Sequence, residues 1–554
     1  MHPSFNEVVP FGFVLGRSAA HPPCELPFTR MKITLPPSLR FALGLCLVYT
    51  HLRAELKLPA VIGDHMVLQQ KQANPIWGWD APGTKITVAF AGANYSATAG
   101  ADGKWTVKLA AADANSTPQV LAIAGTSKRL IEDVLVGEVW MCSGQSNMGF
   151  KLANDWNGDL EAASSKLPHL RLISVPRVGT QELKSDFVGR WQASTPDTAK
   201  AFSAVGFLYG RYLHEILGIP VGLIDNSWGG SAAEAWVRRE SIAGDARFKS
   251  LMVGTATREA DIAAGRTKAA YDESMAKWKI AAETAKADGK NPPIPPPSPD
   301  AWLSGNSRPG NIFAGMMNPT LGYGMKGVIW YQGESNASRA YEHEKLFPFL
   351  IEQWRKEWNQ GDFSFYWVQL ADFRAEKNEP GESDWAEMRE TQTKTQKLRN
   401  TGQAVIVDLG EGKDIHPRNK HDVAARLVRW ALVKDYGLKM PYRSPEYKDL
   451  DLSGNKATVT FDCFGSTLRA FDVAEARGFA ICGEDRVWHW ATGKVIAPDR
   501  VEVSSARVAK PVAVRYGWAD NPVCNLFSND GLPVTPFRTD TFAMTTHPKS
   551  AATP

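Results

Sequence analysis

The sequence predicts an α/β fold: a parallel sheet with helices on both faces, flanked by N- and C-terminal β-sandwich-like domains. Three observations predict it. A chain of 554 residues exceeds what a single core accommodates, so two to four domains are expected. Between about 134 and 440, apolar strand-like runs alternate with helical patterns, the order that builds a parallel sheet covered by helices. On either side, strand-sized segments follow at close spacing, broken by Gly, Pro and Asp turns.

Residues 55–133 form the first β-domain, with runs 75–79, 85–90 and 104–109 separated by Ala81-Pro82-Gly83 and Ala101-Asp102-Gly103. In the α/β domain, 134–440, the expected strands are 136–142, 221–225, 327–331, 365–370 and 404–409. Functional groups of such a sheet belong at the C-terminal ends of its strands. Residues about 240–305 are Ala/Lys/Glu-rich and end in the proline run 292–297, an inserted helical hairpin with a stiff arm and no expected chemistry. Residues 441–546 return to β grammar, at 457–461, 487–490, 500–503 and 512–516.

Composition excludes several classes. Hydrophobic content of 44% and charged content of 22% are ordinary for a globular protein, and a net charge of +4 leaves no nucleic-acid footprint. Nineteen tryptophans suit either sugar-binding surfaces or β-domain cores. Met31-Lys32, Arg40, the apolar run 41–49 and Ala54 read as a secretory signal, with residues 1–30 as an upstream extension. A secreted or periplasmic protein is expected, with no membrane span in the mature chain. Cys24 and Cys46 would leave with this leader. An oxidising compartment then permits a disulfide among Cys463, Cys482 and Cys524. No His/Cys cluster has zinc spacing, so no structural metal is expected, and the serine chemistry described next requires neither metal nor organic cofactor.

Four segments carry chemistry. Gly144-Gln145-Ser146-Asn147-Met148 follows the first apolar run and can hold a hydroxyl at the lip of a sheet; a helix-capping Ser/Asn turn fits these five residues equally well. Asn226-Ser227-Trp228-Gly229-Gly230-Ser231 offers glycine N–H groups to an oxyanion. Tyr331-Gln332-Gly333-Glu334-Ser335-Asn336 offers an amide donor, with Glu334 able to orient its neighbours. Asp414-Ile415-His416 places a carboxylate and an imidazole on one side of an extended segment, where the carboxylate can fix the histidine tautomer. In this order, each after an expected strand, they match a serine hydrolase acting on an ester.

The chain resembles the sialate O-acetylesterase-type members of the SGNH (GDSL-like) hydrolase superfamily. The first block is 137–148 (Gly-Glu-Val-Trp-Met-Cys-Ser-Gly-Gln-Ser-Asn-Met), the second 227–230 with Glu234-Ala235-Trp236, the third 330–336 and the last 414–420 (Asp-Ile-His-Pro-Arg-Asn-Lys). Segments 521–527 and 531–540 resemble the family's C-terminal signature. The resemblance implies a flavodoxin-like SGNH sheet, Ser146 as nucleophile, His416 as general base and Asp414 as its orienter. It also implies an oxyanion held by the N–H of Ser146, that of Gly230 or Gly229, and an amide from Gln332 or Asn336, with Gln145 and Glu334 at the substrate site. Two features depart from the broader superfamily: Glu-Ser-Asn follows Gly333 in place of an Asn-Asp pair, and the last block is Asp-x-His rather than Asp-x-x-His. The implied substrate is an O-acetylated sugar, foremost a sialic acid. The alternatives are acetylxylan or another polysaccharide, and a catalytically inactive carbohydrate-binding protein.

Overall fold

The computed structural model describes residues 55–548; the expected leader, with Cys24 and Cys46, lies outside the described residues. Six strands build the central sheet: β1 (Lys128–Gly144), β2 (Leu167–Ser174), β3 (Val221–Ser227), β4 (Gly327–Tyr331), β5 (Ser364–Val368) and β6 (Thr401–Ala404). They lie in the order β6-β5-β4-β1-β3-β2, all parallel, with Gln192–Ser194 antiparallel on the outer edge of β2. Setting the edge strand β2 aside, the chain visits positions 2-1-3-4-5, the flavodoxin order. The direction of travel reverses at β1, and a crevice opens there beyond the carboxyl ends of β3, β1 and β4.

The strands are apolar throughout, as a sheet covered on both faces requires. Val139, Trp140, Met141 and Cys142 of β1 are fully buried, as are Val328, Ile329, Trp330 and Tyr331 of β4. Helices α1 (Ala204–Leu217), α2 (Lys249–Ala263), α3 (Lys268–Ala287), α4 (Ala340–Trp358), α5 (Asp384–Lys394) and α6 (Lys420–Lys434) follow or connect them. On the α4 side, Trp330, Trp236 and Trp354 meet edge to face or tilted, with ring centroids 5.5–6.2 Å apart. The largest fully buried side chains include Trp105, Trp140, Trp191, Trp236, Trp330, Trp354 and Trp367, so these tryptophans serve the core rather than a sugar-binding surface.

β1 is 17 residues long and belongs to two sheets. Its first half pairs with Asn115–Ala124 and with Val67–Gln69, inside a sheet that also holds Lys85–Phe90 and Ala93–Thr98. The antiparallel pair Asn74–Trp79 and Lys104–Leu109 packs against it through Ile76, Trp105 and Val107. The strand continues through residues 133–134, where the sequence suggests a change of domain, but with Asp133 at φ 55° and a register shift against Asn115–Ala124.

Three readings of the sequence are corrected. The strand expected at 404–409 is Thr401–Ala404 instead; Val405, Ile406 and Val407 are buried outside the sheet, and the Val405 carbonyl accepts from Arg426. A short buried apolar run reads alike in a strand and in packed coil. The C-terminal part, Glu446 to Arg538, is one seven-stranded antiparallel sheet with a two-stranded annex rather than a two-layer sandwich. Register shifts at Tyr447/Asp449, Ala476/Phe479 and Val495/Ala497 bend its strands around Val459, Phe479, Val501 and Phe537 into a barrel-like form. Cys463, Cys482 and Cys524 are unpaired in it, so the disulfide that the sequence permits does not form. Arg389 of α5, fully buried, donates to the carbonyls of Leu370, Ala371, Ala519 and Asp520 and so joins this sheet to the α/β part. Among the described residues no helix is long and apolar enough to cross a membrane.

Truncating Trp330 to Ala is expected to lower unfolding free energy by about 3–5 kcal/mol through the cavity left among the rings of Trp236, Phe347, Trp354 and Phe365. A shift of the urea midpoint checks it.

Candidate active site

Gly144 ends β1 and pairs across the sheet with both Ser227 and Tyr331, so the loops leaving β1, β3 and β4 emerge at one level. Its φ is 130°, and a Cβ there would run into the Tyr331 carbonyl, so the position requires glycine. Gln145 N–H donates to Tyr331 O at 2.9 Å, Trp228 N–H to Gly144 O at 3.0 Å, and Met148 and Gly149 N–H both to Gln145 O at 3.0 Å. The chain therefore turns once, tightly, at residues 145–149. Of residues 141–149 only Ser146 reaches solvent; the others are buried.

Around Ser146 the backbone donors stand open. The N–H groups of Ser146, Gly229 and Gly230 meet no acceptor among the described residues, in a structure where most such groups are paired. Gly229 packs on the serine so closely that a Cβ there would lie 3.3 Å from Ser146 Cβ.

The histidine loop is brought to the same place by Asn147. Its Nδ2 donates to Ile415 O at 3.0 Å and to Glu334 Oε1 at 2.7 Å, and its Oδ1 accepts from Lys420 Nζ at 2.7 Å. Segments after β1, β4 and β6 thus meet on one carboxamide. His416 Nδ1 lies 3.4 Å from Asp414 Oδ1, which accepts the His416 backbone N–H at 2.9 Å. Both side chains are open to solvent, 37% and 57% exposed. Ser146 Oγ makes no hydrogen bond to His416 or to any other described residue. The loops converge, and the nucleophile–base bond is left to be made, as is common before substrate binds.

The amides of the third segment face inward. Gln332, fully buried, spends both Nε2 hydrogens on Ser231 O and Asn336 Oδ1, so it has none left for an oxyanion. Asn336, also buried, accepts from Ala233 N–H and donates to Glu234 Oε2 at 3.0 Å. Arg339 Nη2 closes this network on Glu234 at 2.5 Å. Gln145 Oε1 accepts from Ser335 N–H at 3.3 Å and pins the β1 turn to the β4 loop.

Lys420 is a residue to which the sequence gives no role. It is fully buried at the first position of α6, behind the Asn419 cap, with its amine 4.8 and 5.3 Å from the rings of Phe150 and Tyr331. A cation at a helix N-terminus opposes the macrodipole. Burial pushes its pKa down to about 7, against the pull of Glu334, Asp155, Glu411 and Asp414. Burial likewise raises the Glu334 carboxyl above its ordinary range, against bonds to its own backbone and Asn147 and the nearby Lys420 amine, and Glu334 Oε2 is buried without a partner. The only hint in the sequence is a lysine directly after an Asn cap, a poor place for one.

A family profile for carbohydrate esterases, the sialic acid-specific acetylesterases, matches residues 300–425. Curated sialate O-acetylesterases of Mus musculus and Homo sapiens are both 27% identical over 87% of the chain, covering 94% and 92% of their own lengths. The crystal structure of a carbohydrate acetylesterase from Xanthomonas citri superposes with a TM-score of 0.74 at 36% identity, over 88% of this chain and all of that one. The chain belongs to this family of carbohydrate esterases. As a member it is a carboxylic ester hydrolase, and the serine turn with its open N–H groups has the form such chemistry uses.

In this esterase the buried lysine makes stability depend on pH. Unfolded, Lys420 keeps its proton to about pH 10.4; folded, it loses it near 7. Between those values the unfolded state binds more protons, so the lysine's contribution rises with pH and is lost as pH falls through 7. Lys420→Met removes that slope. The stability difference, wild type minus variant, is expected to grow by about 1 kcal/mol per pH unit from 7 to 10, read from urea midpoints. A pH-independent difference would show that the amine is charged in the fold.

Proposed function

We propose that this esterase removes O-acetyl groups from sugars, above all from O-acetylated sialic acids, with Ser146 as nucleophile, His416 as general base and Asp414 as the residue that orients it. The observation that carries the reading is Ser146, the one partly exposed residue in an otherwise buried turn, beside three unpaired backbone N–H groups. The sugar class is drawn from the relatives, which are sialate O-acetylesterases and a carbohydrate acetylesterase. The 2-1-3-4-5 strand order and the four blocks at strand ends support an SGNH-type domain over 134–440, between β-domains at 55–133 and 441–546. With residues 1–54 as a cleaved leader, the enzyme works outside the cytoplasm.

In the first step Ser146 Oγ attacks the acetyl carbonyl carbon while His416 takes its proton. Nδ1 of His416 faces Asp414, which leaves Nε2 for the serine. The negative oxygen of the tetrahedral intermediate is met by the N–H groups of Ser146 and of Gly229 or Gly230. The bond from carbon to the sugar oxygen breaks, and the sugar hydroxyl departs with the proton from His416. Water, deprotonated by the same imidazole, then attacks the acetyl-serine; acetate leaves and Ser146 regains its proton. Gln332, Asn336 and Glu334 act by holding the loops rather than by touching the acyl group.

Ser146→Ala and His416→Ala are each expected to lower kcat on 4-nitrophenyl acetate by about four orders of magnitude, because the pair acts as a unit. Asp414→Ala is expected to cost less, about ten- to a hundredfold, since its carboxylate is solvated. An organophosphonate should label Ser146 in the wild type. Near-normal turnover in a folded Ser146→Ala protein would reject the assignment.

A further inference from the structure

The loop that follows the inserted hairpin, α2 and α3 with the proline arm behind them, reaches the glycine turn beside Ser146. After the arm the chain returns through Asn306, whose Nδ2 donates to Gly229 O at 2.6 Å and whose carbonyl accepts Ala232 N–H at 3.2 Å. Gly229 is the glycine that packs on Ser146. Asn306 thereby clasps the loop over the nucleophile with one edge, and with the other lines a cavity of about 470 Å³ between the hairpin and the arm.

That cavity has a distinct chemistry. Tyr271 and Ser274 of α3, Trp302 of the arm and Ser307 of the return loop line it, together with Arg258 of α2. Arg258 lies with its guanidinium carbon 4.5 Å from the centre of the Trp302 ring. Its neighbour Glu259 is taken by Arg239 and Arg308, at 2.7 and 2.8 Å, and no carboxylate among the described residues pairs with Arg258. An arginine laid on an indole is held in orientation, and its fork suits a carboxylate that accepts two parallel hydrogen bonds. The Tyr271 ring, and the part of the Trp302 indole that the guanidinium groups of Arg258 and Arg308, 4.5 and 5.9 Å from its centre, leave uncovered, offer apolar surface to the C–H side of a pyranose, while the serines and Asn306 offer partners to its hydroxyls.

We propose that this cavity is a substrate subsite that binds the sugar ring of an O-acetylated sugar acid, with Trp302 against the ring and Arg258 pairing with its carboxylate. The proposal rests on the esterase reading of Ser146 and adds the element that selects a charged sugar. The insertion, silent in sequence, then supplies specificity while the sheet supplies the chemistry.

The test compares wild type, Arg258→Gln and Trp302→Ala on three substrates: O-acetylated N-acetylneuraminic acid, the methyl ester of its carboxylate, and 4-nitrophenyl acetate. Arg258→Gln is expected to raise KM for the acid about tenfold, the worth of one charge-assisted pair, and to leave KM for the methyl ester within about twofold. Trp302→Ala is expected to raise KM for both sugars, and neither variant should change turnover of 4-nitrophenyl acetate. Calorimetric binding of N-acetylneuraminic acid reads the subsite independently of catalysis, and Arg258→Gln should weaken it about tenfold as well. Equal effects of Arg258→Gln on acid and ester, or sugar KM values untouched by Trp302→Ala, would overturn the subsite. A wild type that hydrolyses 4-nitrophenyl acetate but neither binds nor turns over the acid would also overturn it. Failure on 4-nitrophenyl acetate, with binding of the acid still dependent on Arg258, would instead strike the esterase reading and leave the subsite standing.

Discussion

The carboxamide of Asn147 accepts one hydrogen bond and donates two, to partners that come from three separate parts of the chain. Through Ile415 O it holds the loop of His416; through Glu334 it holds the loop after β4; through Lys420 it is anchored to the start of α6. It sits directly after Ser146, so the serine cannot move without straining all three. The proposed acyl transfer needs a fixed geometry between hydroxyl, imidazole and N–H groups, and this one side chain ties together the loops that carry them. The group beneath it is uncommon. A buried lysine facing two aromatic rings, with an unpartnered carboxylate oxygen nearby, is costly to fold. Such polar strain is characteristic of functional sites, where local stability is given up for position.

The sheet sets the level at which this hub works. Because Gly144 pairs with Ser227 on one side and Tyr331 on the other, three loops begin at the same height. The reversal of strand order at β1 leaves the space above them open. Residues far apart in the chain meet there without any long excursion of backbone.

Much of this was legible in the sequence, for identifiable reasons. Apolar runs at 136–142, 221–225 and 327–331 mark β1, β3 and β4, and each is followed at once by Gly with polar residues, the mark of a chain leaving a sheet at a site. Asp414 and His416 stand out by chemistry and spacing, and the structure brings their loop to Asn147. Other features depend on contacts that local pattern does not encode. The apolar run 404–409 read as strand because burial in coil and in sheet look the same over so few residues. Gln332 and Asn336 read as donors because sequence reports an amide but not which way it faces; the structure turns both inward onto Ser231 and Glu234. The role of the insertion was hidden for a similar reason, since Ala/Lys/Glu-rich helices give no sign that the loop behind them ends on Gly229.

The length of β1 bears on how the polypeptide matures. As the nascent chain leaves the ribosome, the leading half of this strand already has its antiparallel neighbour, Asn115–Ala124, and can zip up at once. The trailing half, Val139 to Gly144, must wait for β3 and β4, the latter synthesised nearly two hundred residues later. Until β3 is made both edges of this apolar half are bare, and until β4 is made one still is, a template for wrong partners. The same continuity that fixes the serine's position thus makes biogenesis of this enzyme the stage most vulnerable to aggregation.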